Sequence, residues 1–419
     1  MRVLYSIVLY LGTPFFLLHF AIRGVKDRRY LQRWKERFAW FGKQPRGGGI
    51  VIHAASVGEL NAALPLINAL AAKPEVLPLT ITTFTPTGSA RAQSLVEQNI
   101  LHCYVPLDLP GAVRRFFDYT KPRLLIVMET EIWPNLFHQA RQRNIPILMA
   151  NARLSRQSLK GYRRFSSLTS QALSMVDHVA AQSAHDAERL LACGADPARL
   201  RVTGNLKFDL SVPDGLEEQS VALRRQWGGE RPVLIAGSTH AEDDVCVLNA
   251  FGTVLETLPE TLLILVPRHP ERFAATAKLA REMGFKTALH SKRPACSPQT
   301  QCFVVDSMGE LLRYYASSDV AVIGGSFGTV GGHNALEASA LGRPVIVGPD
   351  TENFKDITIE LIRGGGAARV ADAQELGQKV IALLKDTNDR QAMGEAGLKM
   401  VAQGRGALRD ILDTVERLL

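Results

Sequence analysis

The chain has 419 residues, enough for two domains with separate cores, and with 46% hydrophobic and 21% charged residues it is excluded from the disordered class. A formal charge of +8 gives it a surface drawn to anions, leaving nucleic acid, anionic lipid and phosphorylated small molecules open as partners. Five scattered cysteines without a C-x-x-C pair exclude a zinc ribbon or thioredoxin-type site and fit a reducing cytoplasm.

The chain opens on VLYSIVLYLGTPFFLLHFAI (3–22), which holds no acidic residue, Lys or Arg. About 20 apolar residues suffice to cross a bilayer. Arg23, Lys26, Arg28, Arg29, Arg33, Lys35 and Arg37 follow at once, interleaved with Trp34 and Trp40, and RGVKDRRY offers no small-residue cleavage site. Residues 1–23 are therefore expected to be a membrane anchor and 24–48 a basic segment facing anionic headgroups, with the rest in the cytoplasm. Gly12, Thr13, Pro14 and His19 leave open whether this helix spans the membrane or lies in its surface.

From residue 49 to 210, strand-like runs (IVIHAA, LPLTITT, LLIVME, IPILMA) alternate with helical stretches, the pattern of βαβ units and a parallel sheet. Residues 211–232 are polar with Gly and Pro and read as a linker. The alternation restarts over 233–419 with VLIAGS, TLLILVP, CFVVDS, VAVIGGS and PVIVGP. The fold class expected is α/β: two doubly wound, Rossmann-like halves with a cleft between them, ligands binding at the carboxyl ends of the strands.

The residues just after those runs carry chemistry. Ser56 and Glu59 have the S-x-x-E spacing of a capping box, and Glu59 is also placed to act as a base. Glu129 and Glu131 follow the third run beside Trp133, and Lys207 lies in GNLKFD at the close of the first half. In the second half Arg268-His269-Pro270 suits a phosphate. Ser307 and Glu310 repeat the capping spacing. GGSFGTVGGHNALEASALG joins a glycine-rich turn to a helix start, with Asn334 and Glu337 three residues apart so that the carboxylate can take a ribose. Neither a dinucleotide fingerprint nor a P-loop is present. Gly324-Gly325-Ser326-Phe327-Gly328 matches a nucleophile elbow, but the only later histidine is His333, so the order of a serine hydrolase fails. No D-x-D occurs and the histidines are dispersed, so no catalytic metal and no cofactor are expected, although Glu129-x-Glu131 has the spacing to hold one ion.

Taken together, SVGE, ETEIWPN, GNLKFD, PRHP, SMGEL and GGHNALE resemble the family of 3-deoxy-D-manno-octulosonic acid (Kdo) transferases of lipopolysaccharide inner-core synthesis, over nearly the whole chain. The resemblance implies a GT-B glycosyltransferase on the cytoplasmic face of the inner membrane. It implies transfer of Kdo from CMP-Kdo to the lipid A precursor (lipid IVA) with inversion and without metal. It marks Glu59 as general base and Glu129 and Lys207 as supports of the transition state. It also marks Arg268, His269, Gly309, Glu310, Leu311, Asn334, Ala335, Leu336 and Glu337 as CMP-binding. A GT-B enzyme using a UDP-sugar on a lipid acceptor is the first rival, and a non-catalytic membrane-tethering module the second. A nucleic-acid partner is disfavoured, because the basic residues cluster beside the apolar run.

Overall fold

The computed structural model describes residues 1–42, 48–73, 77–93, 100–210, 212–292 and 296–419. The chain forms two compact units, 1–209 with 404–419 and 210–403.

The first unit holds β1 (Ile50–His53), β2 (Leu79–Thr83), β3 (Ile100–Tyr104), β4 (Leu124–Met128), β5 (Ile147–Ala152), β6 (His178–Ala181) and β7 (Leu200–Val202). They form one sheet in the order β3-β2-β1-β4-β5-β6-β7. Every pairing is parallel. Parallel sheets are covered on both faces, and here Val51, Leu125 and Val127 enter one core while Ile52, Ile126 and Met128 enter the other. Chain order reverses between β1 and β4, and their carboxyl ends lie side by side, with His53 opposite Val127. Such a switch point is where α/β sheets bind ligands.

The second unit repeats this plan with β8 (Val233–Thr239), β9 (Leu262–Pro267), β10 (Thr287–Leu289), β11 (Cys302–Val304), β12 (Val320–Ile323), β13 (Val345–Val347) and β14 (Ala367–Arg369). The order is β10-β11-β9-β8-β12-β13-β14, again all parallel, with the reversal between β8 and β12.

Two expected boundaries differ, and one segment is more buried than its charge suggests. Residues 211–232 are not a linker, residue 211 itself lying outside the described residues. They carry the helix Leu216–Trp227, whose Leu216, Leu223 and Trp227 are buried. Trp227 stacks on Tyr314 at 6.2 Å, and Arg224 pairs with Asp319 at 3.0 Å. The second half does not run to 419: the helix Ala407–Leu418 places Ala407, Ile411 and Val415 in the core that holds Ile50 and Ile52. The basic segment 24–48, of which 43–47 lie outside the described residues, is not wholly solvated. Arg37 is buried, its guanidinium 4.5 Å from the Phe20 ring centre and 4.1 Å from that of Tyr104.

The N-terminal helix α1 (Arg2–Lys26) is long and apolar enough to cross a membrane by length and composition, and most of it is not buried.

Candidate functional site

In the first unit, β1 leads through Ala54 and Ala55 to Ser56, the N-cap of helix α2 (Val57–Ala71). Ser56 Oγ accepts the Glu59 amide at 3.3 Å, so a cap exists. The Glu59 carboxylate does not return to the Ser56 amide, as a capping box would have it. It accepts the Ala55 N–H at 2.8 Å and the Ser56 hydroxyl at 2.9 Å, and is 9% exposed. Burial, then the nearby Glu131 charge, push its pKa up to about 7 against the two hydrogen bonds. Burial thus outweighs the helix dipole, which alone favours the carboxylate.

On the neighbouring strand, β4 is followed by Glu129 with φ of 53°, a conformation that a non-glycine residue adopts only when its surroundings hold it there. Its amide is fixed to Ala150 O at 2.9 Å, and its carboxylate pairs with Arg153 at 3.2 Å. Glu131 accepts the Trp133 indole N–H at 2.8 Å, and burial raises its pKa, with Glu129 adding to the rise. The Trp133 ring stands edge-on to His53 at 5.6 Å, and burial keeps that histidine neutral, its pKa lowered to about 4. Three carboxylates therefore gather at the switch point: Glu131 and Glu129 disfavour ionisation of Glu59, and Glu129 that of Glu131.

Lys207 is on a single turn, Leu206–Phe208, at the same sheet end. The Leu206 amide is bound by Asn151 Oδ1 at 3.0 Å, and Asn151 adjoins the Ala150 that holds Glu129. Arg153 was not singled out by sequence, and neither was Tyr162, whose hydroxyl donates to Thr130 O at 3.1 Å. Both lie in a stretch whose only sequence signal is its position after a strand.

In the second unit the organiser is Asp243, which no motif had marked. One carboxylate oxygen accepts the His240 N–H at 2.8 Å and the Gly325 N–H at 2.6 Å, and the other accepts the Phe327 N–H at 3.0 Å. The glycine-rich turn after β12 is thereby laid against β8. A Cβ on Gly324 would stand 2.4 Å from Ser238 O, so only glycine allows that approach. Ser326 is fully buried, donating to Ile323 O at 2.5 Å and accepting the Gly348 N–H at 2.8 Å, the role of a structural hydroxyl.

Arg268 leaves β9 with its amide on Thr239 O at 3.0 Å. His240 and His333 meet Nε2 to Nε2 at 2.9 Å with rings stacked, and His269 stands edge-on to His240 at 5.3 Å. Burial, then His240 and Arg268, lower the His333 pKa to about 4. Asn334 Oδ1 accepts the Leu336 N–H at 3.1 Å, opening a four-residue helix Leu336–Ser339 that carries Glu337. Burial raises the Glu337 pKa, opposed by Asn334 and Arg268. Arginine, imidazoles and a carboxylate thus share one strand-end region, the donor and acceptor set for a phosphate and a sugar diol. Gly309 has φ of 89°, and the helix Leu311–Ala316 begins on Glu310 without a side-chain cap. The second S-x-x-E is therefore not a capping box: Glu310 pairs with Arg313 at 3.3 Å. Leu311 and Tyr315 pack over Gly237 of β8.

The 3-deoxy-D-manno-octulosonic-acid transferase (kdotransferase) family matches residues 32–210, and the glycosyl transferases group 1 family matches 285–400. A 3-deoxy-D-manno-octulosonic acid transferase of Haemophilus influenzae is 40% identical over 100% of this chain and 99% of its own. That of Bordetella pertussis is 37% identical over 94% and 97%. In fold, the chain resembles UDP-GlcNAc 2-epimerase of Neisseria meningitidis, with a TM-score of 0.56 over 88% of this chain and 100% of the other at 15% identity.

Proposed function

The chain belongs to the 3-deoxy-D-manno-octulosonic acid transferase family and is a glycosyltransferase of lipopolysaccharide synthesis, and from that premise we propose that it moves Kdo from CMP-Kdo to the lipid A precursor, with inversion and without metal. The single observation carrying this reading is the buried Glu59 in its group of carboxylates. An acceptor hydroxyl must lose a proton as it attacks the anomeric carbon, and a base is most effective when its pKa lies near working pH. Glu59 is held near 7. Each of its oxygens receives one hydrogen bond, and a carboxylate oxygen has a further lone pair for the acceptor. Glu129 and Lys207 support the transition state from the same sheet end.

The second unit holds the nucleotide. Arg268, His269 and the Asn334–Glu337 helix start take the phosphate and ribose, and Gly309, Glu310 and Leu311 border the CMP. The departing monophosphate needs less help from a metal than a diphosphate would, so chelation by EDTA should leave the rate unchanged. The helix Arg156–Arg164 suits an anionic acceptor headgroup: Arg156, Lys160 and Arg163 lie on one exposed face, and none pairs with a carboxylate among the described residues. Helix α1 attaches the protein to anionic lipids of the inner membrane, on its cytoplasmic face.

The test uses detergent-solubilised protein with CMP-Kdo and a tetraacylated lipid A precursor, following CMP release and product mass. A gain of one or more Kdo masses, abolished in Glu59→Ala, supports the reading. Full activity in that variant removes Glu59 as base and points to Glu129 and Glu131. Inhibition by UDP in place of CMP would instead indicate a UDP-sugar donor.

A further inference from the structure

Helix α1 turns the polar residues of its first turns, and two phenylalanines farther along, toward the protein, and a row of exposed apolar residues away. Arg2 donates to Asn135 Oδ1 at 3.0 Å, Tyr5 to Asp108 Oδ2 at 3.0 Å, and Ser6 exchanges hydrogen bonds with the Asn135 amide. Asn135 and Asp108 are themselves buried. Farther along, Phe16 and Phe20 face the Phe84 ring at 6.1 and 6.3 Å. These contacts run from residue 2 to residue 20, a length of roughly 27 Å at about 1.5 Å per residue, so the helix lies along the first unit for most of its course.

The opposite face carries Leu4, Val8, Leu11, Phe15, Leu18 and Ile22, all exposed, with Phe15 at 75%. Steps of four and three residues align them in one stripe. A spanning helix is surrounded by lipid over about 30 Å. Spanning here would break the Arg2, Tyr5 and Ser6 hydrogen bonds, or carry the buried polar groups of Asn135 and Asp108 into hydrocarbon, and either course is costly.

We infer that α1 lies in the plane of the membrane surface, its apolar stripe in the headgroup–acyl boundary of an anionic bilayer and its polar side on the first unit. Charge complementarity selects this occupant: Arg23 in the last turns of the helix, and Arg28 and Lys35 in the short turns that follow it, are exposed and available to anionic headgroups. The arrangement also bears on the carboxylates. Asn135 lies two residues beyond Trp133, and Phe84 faces the Trp133 ring at 5.8 Å, while Trp133 donates to Glu131. Both docking points of α1 thus border the wall of that site. A lipid-borne acceptor then presents its hydroxyl at the bilayer surface without leaving it, a consequence that rests on the lipid acceptor proposed above, whereas the lie of the helix does not.

The experiment places a nitroxide at Leu4→Cys, Leu11→Cys, Leu18→Cys or Val25→Cys in the full chain carrying Cys246→Ser and Cys296→Ser. The protein is reconstituted in phosphatidylethanolamine–phosphatidylglycerol vesicles, and depth is read from collision with oxygen against a water-soluble nickel complex. The expected result is one common depth at all four positions, about 5–10 Å into the boundary. A depth that climbs to the bilayer centre, about 15 Å down, near Leu11 and falls toward both ends overturns the inference in favour of a span. Low oxygen collision with dipolar broadening between chains overturns it in favour of a second copy packed on the stripe. Depth is read without turnover, so failure here is separable from failure of the proposed activity.

Discussion

Glu59 sits where a helix start favours its charge, yet burial and the Glu131 carboxylate hold its proton up to about 7, and this conflict sets the expected pH behaviour. On the proposed mechanism the ionised form is the base, so kcat/KM should rise with pH along a limb centred near 7. Glu59→Gln should lower kcat by about 100- to 10,000-fold with little change in the KM for the donor. Replacing Glu131 by Gln removes a repelling charge. The limb should then move to lower pH, and a pH–rate profile that does not move would show that the two carboxylates are not coupled. Stability follows the same shift. The folded state keeps the Glu59 proton up to about 7, whereas the unfolded chain releases it near the ordinary 4.5. Folded-state stability is therefore full below 4.5 and falls as pH rises through 7. Glu59→Gln should lack that loss, so its Tm relative to the unsubstituted protein should climb across this window in thermal scans. At this scale the S-x-x-E spacing was legible, as were the cap on the Glu59 amide and the presence of carboxylates after β1 and β4. The bond to Ala55 rather than Ser56 was not, because it depends on how the strand enters the turn.

Elements differ in how plainly they announce themselves. The strands of both sheets were readable because parallel strands covered on two faces are nearly continuous apolar runs, as in LLIVM and LLILVP. Strand order was not readable, and it alone sets β1 beside β4 and β8 beside β12. The helix Leu216–Trp227 was hidden for the opposite reason: only Leu216, Leu223 and Trp227 are buried, in otherwise polar surroundings. Trp227→Ala tests the difference. A linker residue would be neutral, whereas loss of this buried ring from the second unit should cost about 3–5 kcal/mol in denaturant unfolding. Asp243 shows a third kind of concealment, since nothing local distinguishes it from Glu242 or Asp244. Its contact with the His240 amide is a local helix-start bond, but those with the Gly325 and Phe327 amides form only once β8 and β12 are neighbours. Asp243→Ala should leave those amides unsatisfied and loosen the turn. CMP binding by calorimetry should weaken by about tenfold or more, from about 1.5–3 kcal/mol per charged hydrogen bond, taken as non-additive. Unchanged CMP affinity would mean that the turn is not part of the nucleotide site.

For the whole molecule, the division of the chain into units is the feature that sequence order conceals most completely. The chain leaves the first unit after Asp209 and returns to it at Gly404. The return is fastened at its start, where Asp209 accepts the Gly406 and Leu408 amides, each at 2.8 Å. It is then buried along its length, with Ile411 and Val415 at 0% exposure in the core shared with Ile50, Ile52 and Leu124. Full burial of such a side chain contributes about 1.5–3 kcal/mol. Removing both withdraws a sum comparable with the lower range of a domain's net stability, about 5 kcal/mol. A chain ending at Gln403 should consequently be damaged at a distance in sequence from the cut. Hydrogen exchange should accelerate in β1 and β4, the strands that deliver Glu59 and Glu129, while β8, β9 and β12, nearer to the cut in sequence, keep their protection. Catalysis should fail with the second unit still folded. Lost protection in the second unit, with β1 and β4 unaffected, would refute the assignment of the C-terminal helix to the first unit and with it the account of what supports the carboxylate site.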